Sequence, residues 1–188
     1  MQIRECRETD VAVLEEHMPS PGAACDHASR FRRHREGAAT FLIAWRDGLP
    51  VGSCDILWEG CQAPEVRAVH PDCSEISGLG LWPEALRTQC VGTALIQAAE
   101  RLVLARGRVK VGVGVEKNNP RTHDLYKRLG YRDSTPYLDC GSYEDSAGLT
   151  HRVADGCTFM VKLLDPADAT DPADATDPAD PAGTAQQP

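Results

Sequence analysis

No apolar run in this 188-residue chain approaches the roughly 18–20 residues that a membrane-crossing helix needs. The start is charged within five residues, at Arg4 and Glu5, and has no apolar stretch of the kind that directs secretion. No membrane partner is therefore expected, and a cytoplasmic location is. The cysteines (Cys6, Cys25, Cys54, Cys61, Cys73, Cys90, Cys140 and Cys157) contain no C-x-x-C pair. His70-Pro-Asp-Cys73 comes nearest to a ligand pair and has no matching second pair. Neither a metal nor a disulfide framework is expected, and the cysteines read as free thiols. There is no G-x-x-x-x-G-K-[ST] phosphate loop, and Gly78-Leu-Gly80 is too short for a dinucleotide fingerprint. Basic residues stop at Lys162. The formal net charge is −8, and setting aside the six aspartates after Leu164 leaves the body near −2, no electrostatic ground for a nucleic-acid partner.

What is present is a body of ordinary globular composition, 41% hydrophobic and 26% charged, one domain long over residues 1–164. A short strand at Gln2–Cys6 leads to a helix capped by Thr9 or Asp10 and ended by Pro19-Ser-Pro-Gly22. A second helix is expected over His27–Glu36, with Arg30, Arg32, Arg33 and Arg35 mostly on solvated faces. Thr40–Trp45, Asp47-Gly48 and Val51–Trp58 read as a hairpin. Residues 59–74 read as a loop, and Glu75–Trp82 as a further strand. From Gly92 to Arg106 the apolar stripe Leu95, Ile96, Ala99, Leu102 and Val103 marks a helix, with Gly107 as its stop. Val109 to Val115 alternate as a strand. Asn119 and Pro120 open a shorter helix that Gly130 closes, with Asp124 and Arg128 as a surface pair. Short strands at Tyr131–Asp133 and Cys157–Leu163 finish the body. The order implies an α/β domain on one mixed sheet. Residues 165–188 repeat Asp-Pro-Ala-Asp-Ala-Thr without an apolar residue larger than Ala, so a disordered acidic tail is expected there.

The segment Leu79 to Leu95 carries the chemistry. A strand ends, a turn follows and a long helix opens at Gly92. The first N–H groups of a helix lack internal partners and lie at a positive dipole end, which suits a pyrophosphate. Arg87-Thr-Gln-Cys-Val-Gly92 fits the pattern Arg/Gln-x-x-Gly-x-Gly/Ala with one departure, and Asn119-Pro-Arg-Thr-His-Asp-Leu-Tyr126-Lys-Arg-Leu-Gly-Tyr131 forms a second block. Together, in this order and spacing, they resemble the two landmarks of the GNAT N-acetyltransferases.

The resemblance implies a single GNAT-like domain: a central mixed, mostly antiparallel sheet, about four flanking helices and acetyl-CoA as co-substrate. It implies that Arg87 and backbone amides of Gln89, Cys90, Val91, Gly92 and Thr93 hold the pyrophosphate. Leu79 to Leu81 would pair their main chain with the pantetheine arm, and a strand N–H near Leu81 would meet the oxyanion. Asn119 would contact the cofactor. Tyr126 would protonate the departing thiolate, a phenol titrating near about 10 being a fair match for it. Glu75 stands where several members carry a general base, with Glu65, Asp72 and Glu84 as other carboxylates within reach of the role.

Cys90 occupies the place of the usual loop glycine. A Cβ there crowds a phosphate if it points inward, and a thiol at a helix N-terminus is comparatively reactive. Placed in a helical first turn, glycine at this position would cost chain entropy, so Cys90→Gly is expected to bind CoA more tightly at slightly lower apo stability. The acceptor is a small-molecule or peptide amine that no motif identifies, walled by the first two helices, residues 59–74 and residues 136–155. A homodimer stays open. A non-catalytic acyl-CoA-binding protein of the same fold is the rival that Cys90 favours, and a protein-interaction module the rival that the tail favours.

Overall fold

The computed structural model describes residues 1–18, 26–83, 90–144 and 150–169. Its elements in chain order are β1 (Gln2–Glu5), α1 (Asp10–His17), α2 (His27–Arg35), β2 (Ala39–Arg46), β3 (Leu49–Leu57), α3 (Pro64–Val69), β4 (Ser74–Leu81), α4 (Val91–Ala105), β5 (Lys110–Glu116), α5 (Pro120–Arg128), β6 (Arg132–Glu144) and β7 (Thr150–Leu163). The strands form one sheet in the order β1-β2-β3-β4-β5-β7-β6. Only β4 and β5 run parallel; every other neighbouring pair is antiparallel. The mixed, mostly antiparallel α/β domain expected from the sequence is the one observed.

Period-two alternation divides the core between the sheet's two faces. On β2, Leu42 and Ala44 join the cluster under α4 and α5, while Phe41 and Ile43 join the cluster under α1 and α2. Of the α4 stripe expected from helical spacing, Leu95, Ile96, Ala99 and Val103 are fully buried and Leu102 partly so, and Val91 joins them. It packs with Ile56, Ile76, Val111 and Val113 of the sheet. A third cluster, with Val66, Tyr137, Cys157 and Phe159, lies beneath α3. The β2–β3 turn has positive φ at Asp47 (52°) and Gly48 (79°), the conformation that an Asp-Gly hairpin demands.

Four expectations need correction. The stretch read as a loop at 59–74 contains α3, one of five α-helices among the described residues. With six residues, Pro64 in its first turn and only Val66 buried, α3 is too short for a periodic pattern. The strands read at Tyr131–Asp133 and Cys157–Leu163 extend to thirteen and fourteen residues. Residues 136–155 are thus mainly strand, and tertiary pairing stabilises a polar sequence with weak β signals. Asp10 does not cap α1 but lies in its first turn, where Arg4 binds its carboxylate (2.6 and 2.9 Å) and Arg7 N–H donates to it. Asp124 and Arg128 form no ion pair among the described residues; on α5, Lys127 pairs with Asp133 instead (3.5 Å). Leu164 is buried, and the next residues form a 3-10 turn at Pro166–Ala169. The rest of the tail lies outside the described residues.

Candidate functional site

The site begins with an interrupted pairing. β4 bonds to β5 only across Ser74–Ile76, opposite Val111–Val113, while its far end follows β3 as far as Leu81. The two parallel strands therefore part beyond Ile76. The register between β3 and β4 shifts between Ser53 and Asp55, so Gly78 and Leu79 oppose a single residue of β3, a β-bulge. Gly78 has φ +60°, open to glycine at little cost.

A buried arginine braces that bulge. Arg30, expected on a solvated face, is 7% exposed. Its Nε donates to Asp55 Oδ2 (2.9 Å), Nη1 to Ser53 Oγ (3.0 Å) and Nη2 to the Gly78 carbonyl (3.3 Å). The guanidinium also lies 4.1 Å from the Phe41 ring centroid. The four-arginine cluster gave no signal for which member is buried, because the hydrogen-bond partners of Arg30 are 23 or more residues away.

Across the gap, α4 presents its N-terminus. Among the described residues, the first α4 N–H to find a carbonyl is that of Ala94, which donates to Cys90 (3.0 Å). Those of Val91, Gly92 and Thr93 precede it and find no acceptor among the described residues, as is usual for the first N–H groups of a helix. Gly92 rests on β4: a Cβ there would lie 3.6 Å from Leu81 Cδ1 and 3.9 Å from Leu79 Cδ2. The helix mouth and the outer half of β4 are thus adjacent, as a ligand with a pyrophosphate and an amide-bearing arm requires. Cys90 is not in the helical turn. It is exposed, caps α4 and is left-handed at φ 59°. Arg87 and Gln89 lie outside the described residues.

Two buried ionisable side chains flank this region: Glu75 on β4, and Tyr126 on α5, which packs in the cluster with Ile76 on the other face of the sheet. Glu75 leaves β4 on the face opposite Ile76, is 8% exposed, and accepts no hydrogen bond among the described residues. Burial, assisted by the charge of Asp139, pushes its carboxyl up to about 7. Tyr126 on α5 is 4% exposed, its ring edge-on to Tyr131 at 5.3 Å. Tyr131 is fixed from behind, donating to Glu100 Oε1 (2.9 Å), which also accepts from Lys162 (3.0 Å). The Tyr126 hydroxyl has no such commitment among the described residues. Burial chiefly, then Cys54 and Glu75, holds its phenol well above the ordinary value, so the match near 10 is corrected. The group is a proton donor held protonated across the neutral range. Asn119 is exposed and accepts the Thr122 N–H through Oδ1 (3.1 Å), capping α5. Among the other carboxylates, Glu65 and Asp72 are exposed and Glu84 lies outside the described residues.

Tyr137 was not legible from the sequence. It is 8% exposed on β6, and its hydroxyl fills the space a Cβ at Gly114 would need. Glu75 Oε1 lies 3.6 Å from that same point, so β5 is reduced to glycine where the two side chains converge. Only strand register reveals this. Among the described residues no group of three or more His, Cys, Asp or Glu is arranged to hold a metal ion, and no helix is long and apolar enough to cross a membrane.

The site thus combines a parted pair of parallel strands, a helix N-terminus beside them, and the buried side chains of Glu75 and Tyr126. The profile of the acetyltransferase (GNAT) family matches residues 8–131, and the chain belongs to that family. No curated protein matches it. Among solved structures, the ribosomal-protein-alanine N-acetyltransferase of Brucella melitensis shares the fold at TM-score 0.58 and 21% identity, covering 87% of this chain and 100% of that one. A putative acetyltransferase of Salmonella typhimurium, solved with acetyl-CoA, superposes at 0.60 and 16% identity over 88% and 94% of the two chains. An N-acetyltransferase of Staphylococcus aureus does so at 0.61 and 12%, over 87% and 98%.

Proposed function

We propose that this protein transfers the acetyl group of acetyl-CoA directly to an amine. The observation that supports the reading is the parting of β4 from β5 beside the α4 N-terminus, with Glu75 of β4 and Tyr126 of α5 both buried. The family supplies the class of reaction, and the Salmonella typhimurium relative was solved with acetyl-CoA itself. The pyrophosphate would lie at the orphan N–H groups of Val91 to Thr93, and the pantetheine amides along Leu79 to Leu81. No Cβ intervenes at Gly92.

An incoming ammonium first gives a proton to the Glu75 carboxylate, whose raised pKa makes it a base poised near neutrality. The freed nitrogen lone pair bonds to the acetyl carbonyl carbon. The carbon–sulfur bond then breaks, its electron pair leaves on sulfur, the thiolate takes the Tyr126 hydroxyl proton, and the surplus proton on the new amide nitrogen returns to the tyrosinate. Burial of both groups strengthens these charge interactions relative to water. The reaction is set in the cytoplasm, with a small-molecule or peptide amine as acceptor.

The test is CoA binding followed by acetyl-CoA consumption across an amine panel, for wild type and Tyr126→Phe. Wild type gains melting temperature with CoA. The phenylalanine variant retains that shift and loses about 10²-fold in kcat. No shift at millimolar CoA would remove the cofactor assignment; an unchanged kcat with chemistry rate-limiting would remove the acid.

A further inference from the structure

Glu75 of β4 and the glycines of β5 share one face of the sheet, since Glu75 stands opposite Gly112 in register. Two aromatic side chains cover those glycines. Phe159 of β7 fills the space a Cβ would need at Gly112, and the Tyr137 hydroxyl of β6 fills the space at Gly114. The two rings pack edge-on at 6.4 Å and Phe159 is fully buried, so the hydroxyl is held where it lies. Gly114 follows Val113, the last residue of β5 paired with β4, and is exposed between buried Val113 and Val115. Glu75 Oε1 comes within 3.6 Å of the point that the hydroxyl covers. Glu75 enters no ion pair among the described residues. A hydroxyl and a carboxylate that converge on one opening without bonding directly are within reach of a single bridging water, which gains a partner on each side.

We propose that Tyr137 is a positioning residue for Glu75, its hydroxyl donating through one water to the carboxylate so that Oε1 is held at Gly114 and its ionised form is favoured. The inference rests on the acetyl-transfer reading for the use made of Glu75, not for the contact itself. Burial disfavours a charged carboxylate, and a hydrogen bond to the charged form opposes that cost. The other titratable groups around Glu75 do not supply the bond. Asp139 of β6 adds negative charge, and Asp55, one rung along β3, is taken up by Arg30 (2.9 Å). The thiols of Cys61, Cys73 and Cys157 are kept protonated by burial and are weak donors. Tyr126 packs with Ile76 on the other face of the sheet. Tyr137 is the strong donor on the face of Glu75.

The experiment titrates the side-chain carboxyl carbon of Glu75 by NMR in the full chain, its signal assigned by its loss in Glu75→Gln, and needs no acceptor. Tyr137→Phe keeps the ring against Phe159 and removes the donor, so the Glu75 midpoint should rise by about 0.5–1 pH unit, the size of one hydrogen bond. A packing role alone would leave that midpoint in place. Gly114→Ala tests the geometry. It should destabilise wild type, and destabilise the Tyr137→Phe variant less, because without the oxygen the ring carbon Cζ lies 3.4 Å from the new Cβ. An unmoved or lowered midpoint, or an equal cost of Gly114→Ala in both backgrounds, overturns the proposal. With the most active amine of the panel, the rise of kcat/KM through neutral pH should move up with the midpoint in Tyr137→Phe. A rise that survives in Glu75→Gln removes Glu75 as the base and leaves the midpoint to decide the contact. A rise lost in Glu75→Gln but unmoved in Tyr137→Phe keeps the base and removes the positioning role.

Discussion

Replacing Cys90 with glycine should make the apo protein more stable, the opposite sign to the one its place in the sequence suggests. Read as part of a helical first turn, the position would lose stability to glycine's chain entropy. The structure places it just before the turn, left-handed at φ 59° and without a side-chain hydrogen bond that would justify the conformation. An L-residue held there costs about 1–2 kcal/mol. Glycine avoids that cost and loses about 0.5–1 kcal/mol in unfolded-chain entropy. The difference is a gain of about 0.5–1 kcal/mol, or roughly 1–4 °C in melting temperature for a chain of this size. Cys90→Ala keeps the Cβ and removes the thiol, so it should show no such gain. Urea melts of the three apo proteins read the effect directly. A glycine variant no more stable than the alanine variant would refute the backbone argument. The same comparison by CoA titration reads function: tighter binding by glycine alone places the wild-type Cβ against the pyrophosphate, and one recovered charge-assisted N–H bond is worth about 1.5–3 kcal/mol. Cys90 is exposed whereas Cys6, Cys54, Cys61, Cys73 and Cys157 are buried, so it should be alkylated ahead of those five, and CoA should protect it.

Two further outcomes follow from buried charge. Glu75 is raised from 4.5 to about 7 in the folded state, so between those values the native protein holds more protons than the unfolded chain and stability falls as pH rises. Glu75→Gln should therefore melt higher than wild type at pH 8, with the gap closing below pH 4.5, while the rise of kcat/KM through pH 7 disappears; an intact pH–rate limb would exclude Glu75 as the base. Arg30→Met leaves the buried Asp55 carboxylate only the longer contact with half-exposed Arg33 (3.4 Å) and should cost up to about 3–5 kcal/mol by denaturant melt, with weaker CoA binding as Gly78 loses its brace. A loss under 1 kcal/mol would show the network to be incidental.

Much of the framework was present in local patterns. The α4 stripe, the Asp-Gly turn and the Asn119-Pro120 opening of α5 were legible because each depends on residues within a turn or two of one another. The two motif blocks likewise located the α4 mouth and Tyr126. What was not legible depended on pairing at a distance. The burial of Arg30 was decided by Asp55, Ser53 and Gly78, on two strands it reaches only in the folded state. The length of β6 and β7 was decided by each other, since a polar strand has little preference until a neighbour satisfies its backbone. Tyr137 and Asp139 came to Glu75 through register, which a sequence with no local turn signal leaves open. The sequence by itself determined the elements with strong local signals and, through its two motif blocks, the class of chemistry. The tertiary structure alone decided which charges are buried, which cysteine backbone is strained and which carboxylates face one another, because those energies belong to contacts between strands far apart along the chain.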